Sequence, residues 1–119
     1  MKRQIKFRIW NNEDKKMIYQ SPISSKYYGM TITGLCYDNG RLRDWTPLQW
    51  TGLKDKNGKE IYEGDIVCLL EGEFGYLFKG VVFYNEKIAS FEIKCNETEI
   101  HGFYFDGEYE VEGNIYETT

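Results

Sequence analysis

The chain is predicted to be mainly β: a hairpin and meander region over residues 1–50, then a second β region over residues 51–119 built as a small barrel or sandwich. Three observations predict it. Apolar and polar residues alternate over short runs, as in Ile5-Lys6-Phe7-Arg8-Ile9, which is the period of a strand with one buried face. Glycine-bearing turns recur every 8–12 residues or so between such runs, the spacing of a β sandwich or barrel. Aromatic residues make up 17% of the chain, enough to fill a core without long helices.

Element by element, Ile5 to Trp10 reads as the first strand, with Ile5, Phe7 and Ile9 on its buried face. Asn11 to Lys16 is a polar turn, and Met17-Ile18-Tyr19 returns as its hairpin partner. Gln20 to Gly29 reads as loop. Met30 to Tyr37 alternates partly and is read as a strand. Asp38-Asn39-Gly40 follows as a turn, because Asn and Gly accept positive φ at little cost. Between Arg41 and Trp50 the expected buried anchors are Leu42, Trp45, Leu48 and Trp50. Leu53 to Ile61 reads as a loop centred on Asp55-Lys56-Asn57-Gly58, and Glu63-Gly64 as a second sharp bend. Asp65 to Leu70 has little polarity and reads as a central strand. Glu71 to Gly75 turns, Lys79 to Tyr84 is a strand rich in β-formers, and Phe91-Glu92-Ile93 is the next. Asn96 to Phe105 is ambiguous and could hold one helical turn. Tyr109 to Ile115 alternates and reads as the last strand.

At 119 residues the chain suits one domain, with a seam between subregions 1–50 and 51–119 near Trp50-Thr51. No apolar run approaches the ~20 residues of a membrane-crossing helix, and the basic start leads into alternation rather than a signal-type apolar run. No membrane association is expected. Cys36, Cys68 and Cys95 are odd in number and widely spaced, which fits a reduced, cytoplasmic protein. Net charge is −4 but segregated: residues 1–96 carry +3, and residues 97–119 carry −7 with no Lys or Arg. Such a run is either a solvated strand face or a surface for a basic partner, including the basic end of another copy.

The residues offer little that would carry chemistry. His101 is the only histidine. It could converge with Cys95 and Glu99, but a histidine beside a glycine reads as a surface residue, and no metal or cofactor is expected. Asp55-Lys56-Asn57-Gly58 fails the calcium-loop pattern and reads as a turn. Glu60, Glu63 and Asp65 cluster near a bend, where Glu63 and Asp65 are expected to accept hydrogen bonds from turn amides rather than act as acid and base. Ser21, Ser24, Ser25 and Ser90 lack a nucleophile elbow. Lys2, Arg3, Lys6 and Arg8, interleaved with Phe7 and Trp10, form the alternative: a barrel binding nucleic acid by stacking over a basic groove. The acidic pI of about 5.1 argues against it.

Three blocks resemble the YopX family of phage and prophage proteins: the opening Ile5-Lys6-Phe7-Arg8-Ile9-Trp10 with Lys16-Met17-Ile18; the long block Gln49 to Val67; and the ending Tyr109-Glu110-Val111-Glu112-Gly113-Asn114-Ile115-Tyr116-Glu117. The resemblance implies a cytoplasmic protein of an infected or lysogenic bacterium, with a mostly β fold whose C-terminal half is a small SH3-like β-barrel. It brings no catalytic residues to transfer. The expectation is a non-enzymatic interaction module that binds a phage or host protein, or itself as a homo-oligomer. Trp45, Trp50, Glu108, Glu110 and Glu112 are the partner-facing candidates.

Overall fold

The structure, a computed structural model, describes residues 4–19, 41–72, 75–104 and 106–117, together with the backbone of 28–30 and 36–38. Every regular element among them is a β-strand, and every strand pairing with a described register is antiparallel. The chain divides into two compact units, Met1–Trp50 and Thr51–Thr119.

The first unit holds β1 (Phe7–Asn11), β2 (Lys16–Tyr19), β3 (Tyr28–Met30), β4 (Cys36–Asp38), β5 (Arg41–Arg43) and the first part of β6 (Trp45–Lys54). β1 lies between β2 and β6, with Ile9 opposite Ile18 on one side and Pro47 on the other. The predicted hairpin forms, and Asn11 makes its turn: the side-chain oxygen accepts the Glu13 and Asp14 amides at 2.9 and 3.0 Å. The predicted single buried face does not hold. Arg8, Ile9, Trp10 and Asn11 are all buried, because β1 is a central strand covered on both faces, while Ile5 precedes the strand and is exposed. Ile9 and Trp45 form the core, with Ile18 packed against them.

The strand expected over Met30 to Tyr37 is instead parts of β3 and β4, which pair antiparallel with Gly29 opposite Tyr37. Most of the loop expected at Gln20 to Gly29 and the Asn39-Gly40 turn lie outside the described residues. Leu42, expected as an anchor, is 67% exposed on β5. Leu42→Ala is therefore expected to change stability by less than about 0.5 kcal/mol in chemical denaturation, the range of ordinary surface substitutions.

In the second unit β6 continues to Lys54 and is hydrogen-bonded to β7 (Glu60–Tyr62). The loop read over Leu53 to Ile61 is thus a short turn between two strands. A five-stranded sheet follows in the order β11-β10-β9-β8-β12, made of β8 (Asp65–Leu70), β9 (Tyr76–Asn85), β10 (Ser90–Lys94), β11 (Ile100–Gly102) and β12 (Tyr109–Asn114). No helical turn occurs in 96–104. The segment is an Asn96-capped turn leading into β11. β9 is shared: Tyr76 to Val81 face β8, and Val81 to Asn85 face β10. At the handover Gly80 is packed so closely against β10 that a Cβ there would lie 2.5 Å from the Lys94 carbonyl oxygen. Ile61, Val67, Leu69, Phe78, Val82, Ile93 and Tyr109 form the core on one side of this sheet.

The long block and the ending singled out in the sequence are two halves of one clasp. Asp55 is buried. Its Oδ1 accepts the Asn57 and Lys59 amides, each at 2.9 Å, and its Oδ2 accepts the Val111 amide of β12 at 3.0 Å. The Lys56 amide donates to the Tyr109 carbonyl at 2.8 Å. At the second bend Gly64 has φ +85°, and the Tyr116 ring packs where its Cβ would stand. The Ile115 amide donates to the Gly64 carbonyl at 2.9 Å. Asn114 completes the ending by accepting the Tyr116 and Glu117 amides at 2.9 and 2.8 Å.

Candidate functional site

On the face of the second unit's sheet opposite its core, β12, β8 and β9 make a groove of about 550 Å³. Register explains its lining. Glu110 stands opposite Cys68, and Cys68 opposite Lys79, so these three side chains share a row across three strands. Leu70 and Tyr76 form a second pair at one end. Glu108, Glu110 and Glu112 make one wall, Cys68 and Leu70 the floor, and Tyr76 and Lys56 complete the rim. A β-bulge between Val111 and Gly113 shifts the register at Glu112, and this carboxylate still lines the groove.

Two of the three carboxylates already hold lysines. The Lys56 Nζ lies 3.4 Å from Glu110 Oε2, and the Lys79 Nζ lies 3.2 Å from Glu112 Oε2 and 3.3 Å from its Oε1. Lys79 Nζ also sits 6.0 Å from the Tyr76 ring centroid. Hydrogen bonding to Glu112, then its charge, raises the Lys79 pKa. Among the described residues Glu108 has no cation within ion-pair reach. Cys68 is buried on the floor with its Sγ 3.8 Å from the Glu110 carbonyl oxygen; burial, then the charges of Glu112 and Glu110, push its thiol up.

The structure thus gathers Glu108, Glu110 and Glu112 within the second unit, while Trp45 and Trp50 belong to the first. Trp45 is a core residue of the first unit, so the expectation that it faces a partner is corrected. Trp50 is half-buried beneath the Lys6 ammonium, 4.4 Å from the ring centroid. Of the basic set for nucleic acid, only Lys6 and Arg8 lie among the described residues. Arg8 is 1% exposed, with its guanidinium 3.5 Å from the Tyr19 hydroxyl, Lys6 lies over Trp50, and Lys2 and Arg3 are outside the described residues. A buried guanidinium cannot meet a phosphate backbone. Near the bend, Asp65 is buried and accepts the Tyr62 amide at 2.8 Å, the turn role expected of it; Glu60 Oε1 lies 3.5 Å from the Tyr62 hydroxyl.

Sequence reasoning set aside one constellation that the structure assembles. Cys95, Glu99 and His101 place their ligand atoms within 4.8 Å of one another. The signal was the spacing Cys-x-x-x-Glu-x-His across a hairpin, which puts all three on one face. Burial, then the Glu99 charge, raises the Cys95 thiol. Among the described residues no helix is long and apolar enough to cross a membrane.

Fold and groove together define a small all-β protein with an acidic, aromatic-edged depression on one sheet. The YopX protein family profile matches residues 6–119, and the chain belongs to that family. Its fold is similar to that of protein EF1440 from Enterococcus faecalis, seen in a crystal structure: 24% identity over 96% of this chain and 94% of that one, with a TM-score of 0.60. No curated protein matches it.

Proposed function

We propose that this protein is a non-enzymatic interaction module whose groove takes a lysine- or arginine-bearing segment of a partner protein. The observation that carries this is the wall of Glu108, Glu110 and Glu112. Two lysines already paired with this wall illustrate the chemistry: each is held by a carboxylate, and Lys79 also lies near an aromatic face. Glu108, together with exposed Tyr76, offers the same pair of contacts to an incoming cation. The family resemblance supports a phage or host protein as the partner, in the bacterial cytoplasm. A second copy is the other source of a basic segment.

The SH3-like description of the second unit belongs to this proposal. It is supported by the meander β8-β9-β10 with a long shared β9, and by β12 closing on the far side of β8.

Titration of a fluorescent lysine- and arginine-rich peptide tests the groove. Glu108→Gln with Glu110→Gln is expected to weaken binding about tenfold, or about 1.4 kcal/mol, and binding is expected to fall as salt rises. Equal binding by the variant, or by a neutral peptide of equal length, would overturn the proposal. Sedimentation across ionic strength identifies the second copy: a dimer that dissolves in salt supports self-association, and a monomer throughout removes it. A single-stranded oligonucleotide bound more tightly than the peptide would favour the nucleic-acid reading instead.

A further inference from the structure

The β10–β11 hairpin brings together a thiol, a carboxylate and an imidazole that the groove does not use. Ile93 stands opposite His101 and Lys94 opposite Ile100, and the ladder continues as the Cys95 amide donates to the Glu99 carbonyl at 2.9 Å. Residues opposite one another in an antiparallel pair project from the same face, as do residues two apart on one strand. Cys95, Glu99 and His101 therefore converge.

Two further contacts orient them. The His101 ring is stacked on Phe78, with centroids 3.9 Å apart and planes 4° from parallel. Asn96 caps the turn: its Oδ1 accepts the Thr98 and Glu99 amides, each at 2.9 Å, and its Nδ2 lies 3.3 Å from Glu99 Oε1. That leaves Glu99 Oε2 facing His101 Nε2 at 2.7 Å.

We propose that Cys95, Glu99 and His101 form a binding site for a zinc-class divalent cation, with Sγ, one Glu99 carboxylate oxygen and Nε2 as ligands. Zinc takes sulfur at about 2.3 Å and nitrogen or carboxylate oxygen at about 2.0–2.2 Å, which sets tetrahedral ligand atoms about 3.3–3.6 Å apart. The cluster reaches this by side-chain rotation: the His101–Glu99 contact opens and the thiolate closes on the ion. A mixed sulfur, nitrogen and oxygen set selects against magnesium and calcium, which want oxygen alone. The Asn96 amide beside Glu99 and the Phe78 ring stacked on His101 hold these two ligands in orientation from behind. Three protein ligands leave a fourth position, and because Glu99 is exposed it opens to solvent, for water or for a donor from a partner. Bound there, the ion would pin the turn that joins β10 to the edge strand β11.

A hydrogen bond between Glu99 and His101 would account for those two residues without Cys95, so the test turns on the sulfur. The probe is cobalt(II), added to the full-length reduced chain and read by optical absorption. The expected result is one equivalent bound, a near-ultraviolet thiolate-to-cobalt charge-transfer band with the visible bands of tetrahedral cobalt, and bleaching by zinc. Cys95→Ser is expected to remove the charge-transfer band, while Cys68→Ser and Cys36→Ser retain it. Glu99→Gln, at an exposed position that does not threaten folding, is expected to weaken cobalt binding by more than about tenfold, since losing a group that merely orients a ligand already costs about that. Absence of the charge-transfer band in the wild type, its persistence in Cys95→Ser, or unchanged affinity in Glu99→Gln would each overturn the site.

Discussion

Replacing Asp55 by alanine is expected to destabilise the Thr51–Thr119 unit by about 3 kcal/mol at neutral pH, measured by equilibrium denaturation. The carboxylate is buried and accepts three backbone amides, those of Asn57, Lys59 and Val111. Hydrogen bonds to a charged group contribute about 1.5–3 kcal/mol each, and truncation leaves the donors searching for water in a packed turn. Asp55→Asn is expected to cost about 2 kcal/mol: one oxygen still takes the two turn amides, but the new amide group meets the Val111 N–H donor to donor. The loss carries a pH signature. Burial alone pushes the Asp55 carboxyl up, but the amides of Val111, Lys59 and Asn57, with the Lys59 charge, outweigh it and hold the carboxyl below its ordinary value. A group whose folded pKa is depressed contributes fully above its unfolded pKa and loses that contribution as pH falls through the folded value. The gap between wild type and Asp55→Asn is therefore expected to stay constant near neutrality and to shrink below about pH 4. A gap independent of pH down to acid unfolding would mean that charge on Asp55 contributes nothing.

Gly80→Ala is expected to cost about 3 kcal/mol. It acts by a different route, because its obstacle is backbone. The new Cβ would stand 2.5 Å from the Lys94 carbonyl oxygen and 2.7 Å from its carbonyl carbon, so relief requires β9 and β10 to move apart. Overpacking a close-packed site costs about 1–3 kcal/mol and more when the neighbour cannot turn away. Gly102→Ala is the matched control, since nothing lies within 4 Å of a Cβ there. Thermal denaturation of the two variants, with hydrogen exchange at the β9–β10 amides, measures the contrast. Equal stability of both would show that the strands separate at no cost.

What the sequence disclosed follows the range of the interaction involved. Asn57-Gly58 and Glu63-Gly64 were legible as bends because left-handed backbone is a local demand, and both glycines have positive φ, +83° and +85°. The last strand was legible from alternation, and so was the common face of Glu108, Glu110 and Glu112. Arg8 was not, because alternation assigns it to solvent, while burial on β1 depends on what covers the second face. Leu42 shows the converse: an apolar side chain left outside, which no local rule forbids. The groove needed the register of Glu110 against Cys68, residues 42 apart in sequence. The Cys95, Glu99 and His101 cluster needed only a hairpin register, but the segment read as ambiguous, so their convergence could be named and not placed.

The clasp has a consequence for how the chain is made. Asp55, Lys56 and Gly64 emerge from the ribosome well before β12, and so before their respective partners Val111, Tyr109 and Ile115. Until then β8 has an open edge with Val67, Cys68 and Leu69 on it, and the Asp55 carboxylate has only its own turn to hold. Unpaired apolar edges are templates for misassociation. A nascent or prematurely terminated chain therefore exposes the second unit in its most adhesive form. Emergence of the segment from Tyr109 to Ile115 is what lets that unit shut.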